Sequence, residues 1–438
     1  MKKQVIHLII SFLILLSCKT ENTPYYNDIK LNYKYEVQTD FYYSHFGIYH
    51  NGRYVYFPSG DNNSASPINE SKFFLVNKLD LETGEIVWKT ENINDVDSQA
   101  PVLLNGKIYI PSYDNYLYCF DDADGTLLAS IKLSDDKEIA IDLSGWSANI
   151  VTDGKRYLFW PNKGDYCAIT KLDTFSIDFK KKPDQFQVAD VENLSCPENS
   201  TTEDYVANEI ICDGESIYFE TIGSEYDKRN TKVGSYDVQT GKLNWIQTVI
   251  DSYWNCGDVV LFLNGNNLYF FMEGVACFDK NSGREIFRNI QSKDKYYTEI
   301  INEAASMSQG VFLYKDRFYS TTNAKLGSPS ETGYPASSFA NVKEIDPKTG
   351  KITWSDFIPL KSTMHSRPIV IKNKMFITTW GYGIYVYDVE SKKCLGRDTT
   401  YLTDGLERNI EYNGMFYTFC SNSIDGSNPT STLVCVEP

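Results

Sequence analysis

Asp80-Leu81-Glu82-Thr83-Gly84-Glu85-Ile86-Val87-Trp88 returns as Asp237-Val238-Gln239-Thr240-Gly241-Lys242-Leu243-Asn244-Trp245 and again as Asp346-Pro347-Lys348-Thr349-Gly350-Lys351-Ile352-Thr353-Trp354. Asp, Gly and Trp keep their offsets while the residues between them change, which marks a supersecondary module repeated along the chain. Asp suits a turn, Gly supplies a positive φ, and Trp favours the strand that follows. Weaker copies stand at Asp121 with Gly125, at Asp279 with Gly283 and Phe287 in the Trp place, and at Asp388 and Asp173, both without the Gly. Each follows an apolar strand such as Tyr116-Leu-Tyr-Cys-Phe120 or Ile384-Tyr-Val-Tyr387. The last strand, Thr432-Leu-Val-Cys-Val436, brings Glu437 to the same place and makes an eighth unit.

Hairpin turns provide an independent count, because Asn-Gly or Asp-Gly between apolar strands is the strongest short-range turn signal. They fall at Asn51-Gly52, Asn105-Gly106, Asp153-Gly154, Asp213-Gly214, Asn264-Gly265, Asp316-Arg317, Asn373-Lys374 and Asn413-Gly414, again eight. The two series alternate strictly. Each unit therefore reads as strand, Asn/Asp-Gly turn, strand, loop, strand, Asp-x-x-Thr-Gly turn, strand, a four-stranded antiparallel meander. Eight such sheets with few polar interruptions must bury both faces, and radial stacking does so while leaving only short edges. The expected fold is all-β: one eight-bladed β-propeller over residues 33–438, monomeric. The eighth unit stops after its third strand, so Lys34-Tyr-Glu-Val-Gln38 is expected to supply the outer strand and close the ring.

The 438-residue composition, 42% hydrophobic and 14% aromatic with 23% charged, excludes a disordered chain, a coiled coil and a collagen-like fibre. A balance of 42 Lys and Arg against 58 Asp and Glu, net −16, argues against non-specific binding to nucleic acid or to an anionic lipid surface. A basic partner or a neutral ligand fits better.

Lys2 and Lys3, an apolar run from Val5 to Leu16, then Ser17 and Cys18 read as a secretory signal over residues 1–17, too short to span a bilayer. Leu15-Leu16-Ser17-Cys18 resembles the bacterial lipoprotein cleavage box, which implies lipidation of Cys18 and a tether over 18–32. The implied location is the cell envelope, lipid-anchored, at the outer membrane, with neither its periplasmic nor its surface side assigned.

The Asp-x-x-Thr-Gly-x-x-x-Trp units resemble the blade motif of the PQQ-type, quinoprotein-like β-propellers, where the Trp packs the outer strand against the next blade. A lipid-anchored, single-domain, eight-bladed chain is similar to the BamB-like lipoproteins of outer-membrane assembly, whose propeller is a docking scaffold and not an enzyme. The resemblance implies a protein partner in the envelope, no cofactor and no catalytic residue. It assigns Asp80, Gly84, Trp88, Asp237, Gly241, Trp245, Asp346, Gly350 and Trp354 to structure. Quinoprotein dehydrogenases of this fold family typically carry an adjacent Cys-Cys pair against the quinone and a carboxylate-amide calcium site; no Cys-Cys dipeptide occurs here.

Loop lengths locate a face. In such a meander the Asn-Gly and Asp turns share one rim, while second-to-third-strand loops and blade connections share the other. Blades one and six take 29 and 30 residues from turn to turn (51 to 80, 316 to 346), against 15 in blades five and seven (264 to 279, 373 to 388). Extra length over Ser59–Ser71, Lys181–Asp204, Arg288–Ser308, Thr322–Ala340 and Ser421–Ser431 is expected on the second rim, which repeat proteins use for binding. Tyr113, Trp146, Trp254, Trp380 and Tyr382 fall near its mouth, with Arg367 as the cation beside them. They read either as a cover over the channel or as aromatic anchors for a peptide or a sugar, so the alternative class is a glycan or small-ligand binding lipoprotein, and a quinone-dependent dehydrogenase is the third. His45, His50 and His365 show no metal-type spacing. Cys119, Cys277 and Cys435 share the third-strand position of blades two, five and eight, which reads as core packing; no disulfide is assigned.

Overall fold

The computed structural model describes residues 27–39, 48–60, 73–91, 93–94, 101–111, 116–133, 150–161, 169–183, 187–188, 191–194, 204–206, 210–223, 230–251, 260–271, 274–290, 303–326, 338–360, 366–379, 383–403, 409–421 and 431–438. Among the described residues the strands form eight sheets, each built on an antiparallel four-stranded meander, and no α-helix occurs.

Blade five shows why the repeat folds this way. Its strands are Val260–Asn264, Asn267–Phe271, Val275–Asp279 and Glu285–Asn289. Period-two alternation sends Leu268 and Phe270 to one face, where they join Tyr218, Val233 and Trp245 of blade four. Tyr269 and Phe271 go to the other face, against Val311, Phe318 and Ile345 of blade six. The turn-proximal part of each second strand is buried on both faces for this reason, and each fully buried ring contributes on the order of 1.5–3 kcal/mol. Cys119, Cys277 and Cys435 are fully buried, and each lies directly across from a second-strand tyrosine, Tyr109, Tyr269 and Tyr417.

The ring closes through the N-terminal strand. Asn32–Thr39 pairs antiparallel with Ser431–Glu437, from Asn32 opposite Glu437 to Thr39 opposite Ser431, and extends the expected 34–38 strand at both ends. Residues 27–31, read from sequence as the end of a tether, lie along blade seven. The Ile29 amide donates to the Arg397 carbonyl at 3.0 Å, the Arg397 amide donates to Asn27 at 3.1 Å, and the Leu31 amide donates to the buried Asp398 carboxylate at 2.5 Å. The signal segment, Cys18 and the tether as far as residue 26 lie outside the described residues.

Three expectations are corrected. The hairpin turns of blades six and seven are centred one residue earlier, on Lys315-Asp316 and Lys372-Asn373, all four with positive φ, because the strands pair as far as Tyr314–Arg317 and Ile371–Lys374. Much of Thr322–Ala340 is strand, since Arg317–Leu326 and Ser338–Ile345 continue pairing beyond the turn-proximal core. In blade three, Ile169–Asp173 is followed by a single 3-10 turn, Thr174–Ser176, and its partner strand begins only at Val191. Residues 174–190 thus join third and fourth strands, so the first part of Lys181–Asp204 lies on the Asp-turn rim, not the loop-rich one. Asp173, like Asp388, lacks the turn glycine, but only after Asp173 does the chain run long before its fourth strand.

Candidate functional site at the loop-rich rim

The repeated Asp, Gly and Trp turn out to be joints between blades. The Gly84, Gly241 and Gly350 amides close their turns on the carbonyls of Asp80, Asp237 and Asp346 at 2.8, 2.9 and 2.8 Å. Hydrogen bonds from the Thr240 amide and hydroxyl hold the Asp237 carboxyl below the usual range, and the Lys348 amide and Thr349 hydroxyl do the same for Asp346. Trp88 Nε1 donates to the Asp122 carbonyl and Trp245 Nε1 to that of Lys280, both at 2.9 Å. A Cβ on Gly125 would sit 2.7 Å from the Trp88 ring, and one on Gly283 would sit 2.4 Å from Trp245, so each indole lies flat on the glycine of the next blade's turn. Trp354 meets Tyr387 with centroids 5.3 Å apart, and the Lys392 ammonium stands 5.6 Å over its ring. Blade two has Ala129 at the Trp position, and fully buried Trp160 of blade three joins it in one core cluster.

Arg367 is the sequence-selected candidate that can be placed. It precedes Ile369–Ile371, the first strand of blade seven, on the loop-rich rim, and its side chain is exposed. The stem crosses blade six at Gly310, where a Cβ would lie 2.6 Å from Cγ of Arg367, and the guanidinium is 5.9 Å from the centroid of Phe312. Beneath it is a buried network that the sequence does not signal. The Ser366 amide donates to the Thr378 carbonyl at 3.0 Å, and the Thr378 hydroxyl donates to Ser366 Oγ at 2.6 Å. Asn409 Nδ2 donates to Ser366 Oγ at 2.6 Å and to the Arg367 carbonyl at 3.1 Å. Blades seven and eight thereby fix the Arg367 backbone from below, each bond contributing about 1 kcal/mol. Thr379 ends the second strand beside this network. Trp380, Tyr382, Trp254, Trp146 and Tyr113 themselves, like His45 and His365, lie outside the described residues.

Among the described residues no three His, Cys, Asp or Glu side chains stand together as metal donors would. The buried polar groups under Arg367 are hydroxyls and an amide that hydrogen-bond to one another. His50 packs edge-on to Tyr412 with centroids 6.2 Å apart, and burial lowers its pKa. Burial pushes the thiols of Cys119, Cys212 and Cys277 up to about 12, which disfavours the nucleophilic thiolate. At the loop-rich rim the described geometry is thus an exposed arginine beside Phe312, its backbone held by buried hydroxyls and an amide.

Eight meander sheets packed in a ring closed by the N-terminal strand define an eight-bladed β-propeller. The family model described as outer membrane protein assembly factor BamB matches residues 72–253. Among solved structures, BamB from Moraxella catarrhalis superposes with a TM-score of 0.57 at 13% identity, covering 94% of this chain and 98% of that one. Europium-containing methanol dehydrogenase superposes at 0.62 with 13% identity, covering 93% of each chain. Quinohemoprotein alcohol dehydrogenase from Comamonas testosteroni gives 0.61 at 13% identity over 94% of this chain and 78% of its own. At such identities the likeness is one of fold. No curated protein matches the sequence.

Proposed function

We propose that this chain is a non-enzymatic, lipid-anchored scaffold of the cell envelope, offering its loop-rich rim to a protein partner in outer-membrane protein assembly. The observation that carries this reading is the match of residues 72–253, most of blades one to four, to the BamB assembly-factor model. Arg367 supports it, because an exposed arginine on a backbone fixed by buried hydrogen bonds binds with little loss of entropy, and arginine and tryptophan dominate interface energetics. Cys18 holds the chain at the membrane in this reading.

Cross-linking and capture from intact envelope tests it. Arg367→Ala and Trp380→Ala are each expected to weaken capture by about 2 kcal/mol, roughly thirtyfold, at unchanged melting temperature. Lys242→Ala and Lys348→Ala, on the Asp-turn rim, are expected to leave it intact. The opposite pattern overturns the assignment of the face. Stoichiometric uptake of pyrroloquinoline quinone with calcium, accompanied by dye-linked alcohol oxidation, overturns the non-enzymatic reading.

A further inference from the structure

Blade three carries an excursion on the Asp-turn rim that is anchored at both ends. At its start the Phe175 amide donates to the Asp173 carboxylate at 3.0 Å, capping the 3-10 turn. At its far end Gln187–Val188 pairs in parallel with Ile131 and Lys132 on the outer strand of blade two. Gln187 is buried and ties the ends together, accepting from the Asp178 amide at 2.8 Å and donating to the Asp178 carbonyl at 3.3 Å.

What the excursion projects is apolar and basic. Phe175 is 69% exposed and Phe179 37% exposed, and Lys180, Lys181 and Lys182 beside them are all exposed. Cations hold both rings from the protein side. The Arg156 guanidinium pairs with Asp173 and lies 5.1 Å from the Phe175 centroid, and Lys107 Nζ lies 5.0 Å from that of Phe179. Of the neighbouring acids Asp173 is paired with Arg156, while Asp178, Asp121 and Asp124 accept backbone amides and keep their charge, so the basic character of the patch rests on Lys180, Lys181 and Lys182. The net charge of −16 belongs to the whole chain, and beyond a screening length of about 8–10 Å it does not cancel this patch.

The N-terminal segment lies on the same rim. Gly396 occupies the Trp position of blade seven, and a Cβ there would meet the Asn27 carbonyl at 2.4 Å and Ile29 at 2.5 Å. Residues 27–31 thus stand where the other blades place the Asp turn of the next blade. Chain entry and the exposed phenylalanines share one face.

We infer that residues 174–182 form a membrane-contact element that seats the Asp-turn rim on an anionic lipid surface. Two rings standing out beside three lysines match the interfacial pattern in which aromatics enter the headgroup boundary and lysines meet the headgroups. A bound peptide would instead require a groove or an unpaired edge, and these rings project. The element acts independently of any lipid on Cys18 and turns the loop-rich rim away from the bilayer.

The test is vesicle flotation of the full-length Cys18→Ser chain, in phosphatidylcholine alone and with about one third phosphatidylglycerol; the apolar leader adds a background common to all variants. Partitioning is expected to rise with phosphatidylglycerol. Lys180→Glu/Lys181→Glu/Lys182→Glu is expected to cut that rise by about tenfold or more, and Phe175→Ser/Phe179→Ser by severalfold, with melting temperatures unchanged. An increment that survives both variants overturns the inference. So does a polyglutamate peptide that displaces the vesicles and binds more tightly than they do, which assigns the patch to an acidic protein segment.

Discussion

The Tyr35 hydroxyl donates to the Leu81 carbonyl at 2.6 Å, and its ring lies over Gly84, where a Cβ would approach to 2.9 Å. Leu81 directly follows the turn residue Asp80, as Asp122 follows Asp121 and Lys280 follows Asp279. Tyr35 therefore does in blade eight what Trp88 and Trp245 do in blades one and four. The N-terminal strand carries the inter-blade joint as well as the missing hydrogen-bond ladder.

Closure is expected to depend on this tyrosine in steps. Tyr417 also donates to the Leu81 carbonyl, at 3.0 Å, so Tyr35→Phe leaves that carbonyl paired and should cost about 1 kcal/mol. Tyr35→Ala also removes the ring over Gly84 and should cost about 2–3 kcal/mol. Deletion of Asn32–Thr39 bares the edge at Ser431–Glu437 and should cause aggregation. Urea unfolding followed by light scattering checks the series, and an unchanged midpoint for the deletion refutes it.

Glycines in turns should separate into two groups. Gly125 and Gly283 have φ of +76° and +68° and lie under indoles, whereas at Gly106 and Gly265, with φ of +70° and +60°, an added methyl would find nothing within 4 Å. Alanine at 106 or 265 is expected to cost about 1 kcal/mol of backbone strain. At 125 or 283 the clash adds to that strain, for a total of about 3 kcal/mol or more. Thermal melts of the four variants decide.

Thiol chemistry should follow unfolding. With Cys119, Cys212 and Cys277 held near 12 by burial, the native protein should react with a disulfide reagent at pH 8 far more slowly than the urea-unfolded chain. Rapid native labelling mapped to any of these three cysteines contradicts the packing.

Acid sensitivity should come from the turn aspartates. Hydrogen bonds from Arg53, joined by the Glu82 amide, lower the Asp80 carboxyl, and Arg156 and the Phe175 amide lower that of Asp173. A folded-state value below the unfolded one near 4 means that their stabilisation is complete above the unfolded value and disappears as pH falls through the folded one. The unfolding midpoint should stay level down to about pH 5 and drop below pH 4. Asp80→Asn should lose about 1–2 kcal/mol at pH 7 and show a shallower acid decline.

Sequence alone determined the blade count, the meander and the closing strand, because Asn-Gly and Asp-x-x-Thr-Gly turns are written in residues a few positions apart whose backbone needs are local. The place of Arg367 before a first strand, where the structure has it, was also legible. Tertiary structure decided the rest. Tyr35 became a joint only once the ring brought it to Leu81, and Ser366, Thr378 and Asn409 formed a network only where blades seven and eight converge. The rim of the blade-three excursion likewise depended on which strand paired with Ile169–Asp173. Contacts between distant stretches leave no spacing to read, since what selects them is the geometry of ring closure and the burial of both sheet faces.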